Sequence, residues 1–236
     1  SSVWFGRTPS PDLYRMNTEF IQAEFHCHSN YSPDSLVTLE EIIKTCRSRG
    51  IGKIAITDHG CMAGALRAHE MAPDLVVVSE EILTNEGEIL AYFMSEEIPD
   101  GLPPMEVIKR LKDQGAFISV AHPYDPFRGA NWKPGTLEKM VPYLDGVEAF
   151  NARCFDASFN EKAGAFAAEH GLAWMVGSDA HSIPEIGRAV LSLPDFHTAD
   201  ELRQAVKSAT FSGELSGKMV RLHSMFAKVV NKIRRN

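Results

Sequence analysis

Short apolar runs alternate with stretches of helical period along most of this chain. Gln22–His28 reads as a strand, and Leu39, Ile42, Ile43 and Cys46 line one face of a helix that runs to Gly50. Thr38-Leu39-Glu40-Glu41 is a capping-box pattern that starts it. Further strands are predicted at 53–57, 75–79, 116–121, 146–150 and 172–176, with a last one at 189–193. Helices are predicted at 63–72, 103–114 (begun by proline and stopped by Gly115), 136–144, 159–170 and 198–208. Asn85-Glu86-Gly87 is a turn, so the strand from Glu88 to Phe93 folds back as a hairpin. This alternation predicts an α/β fold with mostly parallel strands, closed into an irregular TIM-like barrel of about seven strands. Residues 1–21 are expected to form an N-terminal arm and 22–210 the barrel domain. Residues 211–236 are expected to form a basic amphipathic helix packed on it by Val220, Leu222, Phe226, Val229 and Val230.

The polar residues that interrupt this pattern fall at predicted strand ends. They are His26 and His28, Asp58 and His59, Glu81, His122, Asn151 and Arg153, and Asp179 and His181. In a barrel of this kind the C-terminal strand ends converge on one mouth. Strand alternation puts His26 and His28 on one face, about 6–7 Å apart, and Cys27 on the other. His26, His28, Asp34, His59, Glu81, His122, Asp179 and His181 are therefore eight candidate metal ligands. One zinc-like ion takes about four ligands, so eight fit two or three divalent ions, and mixed imidazole and carboxylate favours Zn, Mn or Fe. Such a pair of ions is suited to hydrolysis. Asp58 reads equally as a ligand or as a supporting residue. Arg128 and Arg153, on loops beside the site, are candidate phosphate contacts.

Charge narrows the partners. The net charge of −7 is uneven, because six of the 24 basic residues and none of the 31 acidic ones follow Glu214. So acidic a body argues against an extended nucleic-acid surface and suits carboxylates neutralised by metal. Four cysteines without a C-x-x-C spacing fit a reduced protein. No run approaches 18 apolar residues and no signal-peptide pattern opens the chain, so a cytoplasmic protein without membrane contact is expected.

Five segments together resemble the PHP (polymerase and histidinol phosphatase) family. They are His26-Cys27-His28 with Asp34, Thr57-Asp58-His59, Glu81-Ile82, Val120-Ala121-His122-Pro123 and Gly177-Ser178-Asp179-Ala180-His181. The resemblance implies a distorted seven-stranded barrel with a two- or three-metal phosphoesterase site. It implies that His26, His28, Glu81 and Asp179 hold one ion, that Asp34, His59 and His181 hold a second, and that Glu81 bridges to a third served by His122. It gives catalytic roles to Glu81, Asp179 and His181, and a small phosphate ester or nucleotide as substrate. Many relatives carry a histidine near residues 88–90, where this chain has Leu90, so the third ion is expected to lack a ligand. Two other readings stand beside this one. An amidohydrolase-type barrel also opens with His-x-His but adds a metal-bridging lysine, and no lysine falls at a predicted strand end here. A non-enzymatic metal-binding or regulatory domain of PHP type is the other.

Overall fold

The computed structural model describes residues 19–128, 131–217, 227–228 and 230–233. Its nine strands form one sheet, and seven of them make the wall of a nearly closed barrel. These are β1 (Phe20–Cys27), β2 (Ile51–Ile56), β3 (Val76–Leu83), β4 (Glu88–Tyr92), β5 (Phe117–Val120), β6 (Gly146–Asn151) and β7 (Ala173–Gly177), each paired with the next. The backbone closes between the two ends of this series at the mouth. His28 N–H donates to the Ala180 carbonyl at 2.9 Å, and Ala180 N–H donates to the His26 carbonyl at 3.3 Å. On the other side of β1, β8 (Ala189–Pro194) and β9 (Thr210–Gly213) extend the sheet outward and antiparallel.

The expected parallel wall is broken at β4, which is antiparallel to both neighbours. The cause is the predicted turn. Thr84 N–H bonds the Gly87 carbonyl at 2.9 Å, so the chain reverses within a few residues and has no length for a crossover. Pairing with β4 also carries β3 through Glu80, Glu81 and Leu83, beyond the predicted end at Ser79.

The connecting helices are α1 (Leu39–Arg49), α2 (Ala63–Met71), α3 (Pro104–Asp113), α4 (Thr136–Met140), α5 (Ala157–Glu169) and α6 (Ala199–Ala205). The α1 capping box is formed, Thr38 Oγ1 accepting from Glu41 N–H and the Glu41 carboxylate from Thr38 N–H. Gly50 ends that helix at φ 70°, in the left-handed region where a side chain is strained. Phe25, Leu90, Tyr92, Phe117, Met175 and Phe196 fill the barrel below the mouth. Burying each stabilises the fold by about 1.5–3 kcal/mol, before entropy is counted. The Tyr92 hydroxyl donates to the Phe25 carbonyl at 3.1 Å, so the deepest phenol is satisfied.

Residues 1–18 of the expected arm lie outside the described residues, and β1 takes up Phe20 and Ile21. Of residues 211–236, expected as one basic helix, 211–213 instead belong to β9 and 214–217 are not helical; 227–228 and 230–233 are helical, and 218–226, 229 and 234–236 lie outside the described residues.

Candidate metal centre

His26 is the last but one residue of β1 and His28 follows the strand, and both side chains face the mouth with their Nε2 atoms 3.1 Å apart. Cys27 points the other way, into the apolar layer with Ile42 and Cys46. This is the alternation of a strand carried to its last residue. Glu148, on β6, sets the His26 ring. Its Oε1 lies 2.8 Å from Nδ1, which holds a proton there and leaves Nε2 as the nitrogen that can ligate a metal once its own proton is released. The other Glu148 oxygen accepts from His122 N–H at 2.8 Å and from the Asn151 amide at 3.1 Å. One buried carboxylate thus fixes the ends of three strands.

Glu81, on β3, is at the centre. Its Oε2 lies 3.2 Å from His26 Nε2, 3.3 Å from His28 Nε2 and 3.2 Å from His59 Nδ1. That oxygen is buried and makes no hydrogen bond, while Oε1 lies 3.1 Å from His122 Nε2. Asp179 Oδ1 is 3.3 Å from His28 Nε2, and Oδ2 is 2.7 Å from Arg128. Asp34 Oδ2 is 3.4 Å from His59 Nε2 and 3.3 Å from His181 Nε2, and its buried Oδ1 makes no hydrogen bond. The eight ligand candidates therefore meet at one mouth. Four groups of possible ligand atoms lie within 4.8 Å of one another: His28, Asp34, His59 and His181; His26, His122 and Asp179; His26, His28 and Glu81; and His59, Glu81 and Glu88. His28 belongs to the Asp34 group as well as to the Glu81 group, so the partition between ions implied by the family is not sharp in the geometry.

Buried oxygens without a hydrogen bond, faced by imidazole nitrogens, are what a divalent cation satisfies. The donor set fits Zn, Mn or Fe better than Ca or Mg. Two backbone conformations point the same way. His122 (φ 24°) and Asp179 (φ 51°) sit in the left-handed region, which is uncommon for residues other than glycine and concentrates where geometry serves a site.

The protonation pattern follows from the charges. Burial alone would lower the His26 pKa, but Glu81, Glu148 and Asp179 together raise it well above 6.5. Burial likewise opposes a charge on His59, yet Glu81 and Asp34 raise its pKa to about 10. His28 is also raised, through Asp179 and Glu81, against burial and the neighbouring His59. His181 goes the other way. Burial, His28 and Arg153 lower it to about 3, so its ring stays neutral at neutral pH. Without a metal, protons on His26, His28 and His59 neutralise the carboxylates. Binding of Zn or Mn at pH 7 is therefore expected to release protons. Calorimetric titration in buffers of different ionisation enthalpy should give buffer-dependent heats. Identical heats would mean these imidazoles are already neutral.

The structure decides the role of Asp58, moves the site position on β4 from Leu90 to Glu88, and adds Glu24. Asp58 is turned from the centre and accepts from Ser29 N–H at 2.7 Å and from Ser29 Oγ at 2.6 Å, so it braces the loop after His28. Leu90 lies below the mouth, packed in the core with Phe25 and Phe117. Glu88, one rung higher on the same face of β4, takes the position next to the centre, its Oε2 3.5 Å from His122 Nε2. The pairing of Leu83 with Glu88 and of Glu81 with Leu90 decides which rung reaches the mouth. The turn at 84–87 was the available signal. Glu24 was also missed. Buried in β1, it accepts from Ser178 N–H (2.7 Å), Gly187 N–H (2.9 Å), His26 N–H (3.3 Å) and the Ser178 hydroxyl, and so fixes the turn that carries Asp179.

Both arginines reach the site. Arg128 also bonds Asp125 (3.2 Å) and Asn151 (3.2 Å), and Arg153 contacts His181 Nδ1 and, at 3.3 Å, Glu185. Their guanidinium groups flank Asp179. His69 bonds the Val76 carbonyl and His170 stacks on Phe166, both away from the centre, while His223 lies outside the described residues.

The family model described as the PHP domain matches residues 24–82, and one described as PHP-associated matches 157–211. Two uncharacterized proteins of Methanocaldococcus jannaschii are similar. One is 35% identical over 157 residues, covering 61% of this chain and 89% of that protein. The other is 33% identical over 180 residues, covering 75% of this chain and 72% of that protein. A solved structure from Bacteroides vulgatus, a two-domain protein containing a predicted PHP-like metal-dependent phosphoesterase, superposes with a TM-score of 0.70. It is 19% identical and covers 97% of this chain and 75% of that one.

Proposed function

The chain belongs to the PHP family of metal-dependent hydrolases, and from that premise we propose that it hydrolyses small phosphate esters at a site of two or three divalent ions. The observation that carries the reading is Glu81 Oε2, buried without a hydrogen bond among three imidazoles, with two arginines flanking Asp179 on the same mouth.

Divalent ions held by His26, His28, Asp34, His59, Glu81, Glu88, His122, Asp179 and His181 would supply a water of lowered pKa and neutralise charge on a phosphoryl group. The chain's own residues do the rest. Glu148 holds the His26 ring and the His122 backbone, and Glu24 holds the His26 backbone and Ser178 just before Asp179, so these groups are set in place before reaction. Glu81 and Asp179 remain ionised. Burial opposes their charge, but His26 and His59 around Glu81, and Arg128 and His26 around Asp179, hold both well below the usual carboxylate range. Arg128 and Arg153, bonded to Asp125, Asn151, Asp179, His181 and Glu185, place two positive charges beside Asp179 that would offset the charge of a phosphoryl group.

An amidohydrolase reading would ask for a lysine at the mouth from a barrel strand. Among the described strands the lysine is Lys53, near the start of β2, and it donates to the Asp74 carbonyl at 2.6 Å, away from the site. Among the described residues no helix is long and apolar enough to cross a membrane.

The test is elemental analysis of chain purified without chelator, with a screen of phosphomonoesters, phosphodiesters and amides. At least two transition-metal ions per chain and phosphate release from monoesters are expected. Full metal loading with only amides cleaved, or well under one ion after reconstitution with Zn or Mn, would overturn the reading.

A further inference from the structure

The described part of the C-terminal helix lies against the mouth. Lys228 Nζ is 3.5 Å from Asp34 Oδ2, the oxygen that also faces His59 and His181. Asn231 ties the helix down one turn later, its amide donating to the Pro33 and Ser35 carbonyls at 3.1 Å each. Ala227, at 3% exposed, is packed under the same turn. The helix is thus fastened on both sides of Asp34, to the loop that carries it. Beside Lys228 a recess of about 320 Å3 runs to His181, walled by Leu36, Val37, Ile183, Pro184 and Ala227, with Glu41 and Ser182 at its polar side.

A lysine here has no obvious structural use. Its side chain is 62% exposed, and a half-solvated ion pair adds little stability. With Asp34 engaged by a cation, the solvated ammonium is available to pair with another anion, and the long flexible stem lets it turn to one. Arg128 and Arg153 approach through Asp179, whereas Lys228 comes by way of Asp34, so a group lying over the centre meets cations from both directions. The walls of the recess are mostly apolar, and its volume is at the small end of ligand sites.

We propose that the C-terminal helix completes the active site. Lys228 binds the phosphoryl group of a small phosphomonoester, and the adjoining recess takes an apolar leaving group such as an aryl alcohol. This deepens the phosphoesterase reading and rests on it.

The experiment uses the metal-loaded full chain, Lys228→Gln and Lys228→Arg, with phenyl phosphate and glycerol phosphate as substrates and inorganic phosphate as a calorimetric ligand. Lys228→Gln should raise KM for both substrates about tenfold, leave kcat within about twofold and leave metal content unchanged, since a lost ground-state contact acts on KM. Lys228→Arg should recover most of the affinity. Ile183→Asp should raise KM for phenyl phosphate and not for glycerol phosphate. A wild-type KM in Lys228→Gln, or a loss of kcat with loss of metal, overturns the assignment. If the wild-type chain cleaves neither ester, the phosphoesterase reading is what has failed. The phosphate titration then decides on Lys228: about tenfold weaker binding in Lys228→Gln upholds the contact, and equal binding removes it.

Discussion

Glu81→Gln should lower turnover by more than about a hundredfold and reduce the metal bound per chain. The substitution keeps shape and volume at a position that is 1% exposed, so the fold should survive it. It replaces a carboxylate oxygen by an amide NH2 that cannot ligate. Either placement harms the site, since Oε2 faces His26, His28 and His59 and Oε1 faces His122. Both Glu81-containing ligand groups lose an oxygen or a charge at once. Displacement of a reacting group by ~1 Å already costs on the order of a hundredfold. Asp179→Asn touches one of the four ligand groups, and His26→Ala touches two but removes a neutral ligand rather than a charge, so both should be milder in metal content. Steady-state kinetics on a generic phosphoester, with metal assayed on the same samples, makes the comparison. Near-wild-type turnover with full metal in Glu81→Gln would show that another residue joins the ions.

The second large effect is on stability. Stripping the metal should lower the melting temperature by about 10 °C. A ligand held at a thousand times its dissociation constant stabilises by about 4 kcal/mol, and in a domain of this size 1 kcal/mol moves Tm by about 2–4 °C. The loss should deepen with pH. His26, His28 and His59 have folded pKa values raised above the unfolded value near 6.5, His59 to about 10. A raised base contributes stability that is complete below the unfolded pKa and is lost as pH climbs through the folded one. The stripped chain should therefore melt progressively lower from pH 7 to 10, and the loaded chain much less so. Melting curves with and without chelator at pH 7 and 9 test both parts. Coincident curves would mean that nothing bound at the mouth supports the fold.

The residues of the mouth were legible because each lies where a simple period ends. His26 and His28 follow from alternation, and His122 and Asp179 from the last residues of apolar runs. Glu88 was not legible because alternation gives a face and not a height. Glu88 and Leu90 share the inner face of β4, and only the hairpin register puts the first at the mouth and the second in the core. The role of Asp58 was hidden for a related reason: adjacency to His59 in sequence says nothing about which way a side chain at a strand end turns. β9 was missed because Thr210–Gly213 is exposed along its length and has no apolar alternation to detect. Lys228 read as one more cation on a solvated face. What distinguishes it is contact with Asp34, 194 positions earlier, and no local pattern carries that.

The seam at the mouth also orders events during synthesis. The β1 end and the Ala180 segment meet through backbone bonds around His26, His28 and Ala180 and through Glu24 on Ser178. His26, His28 and Asp34 emerge early from the ribosome, and Asp179 and His181 some 150 residues later. At about 5–20 residues per second that interval is on the order of ten seconds or more. Throughout it the first histidines wait beside an open sheet edge that has neither its backbone partners nor its remaining ligands. A chain interrupted before residue 178 could not close that edge. Joining β1 to the Ala180 segment is thus the step at which an unfinished product becomes distinguishable from a finished one.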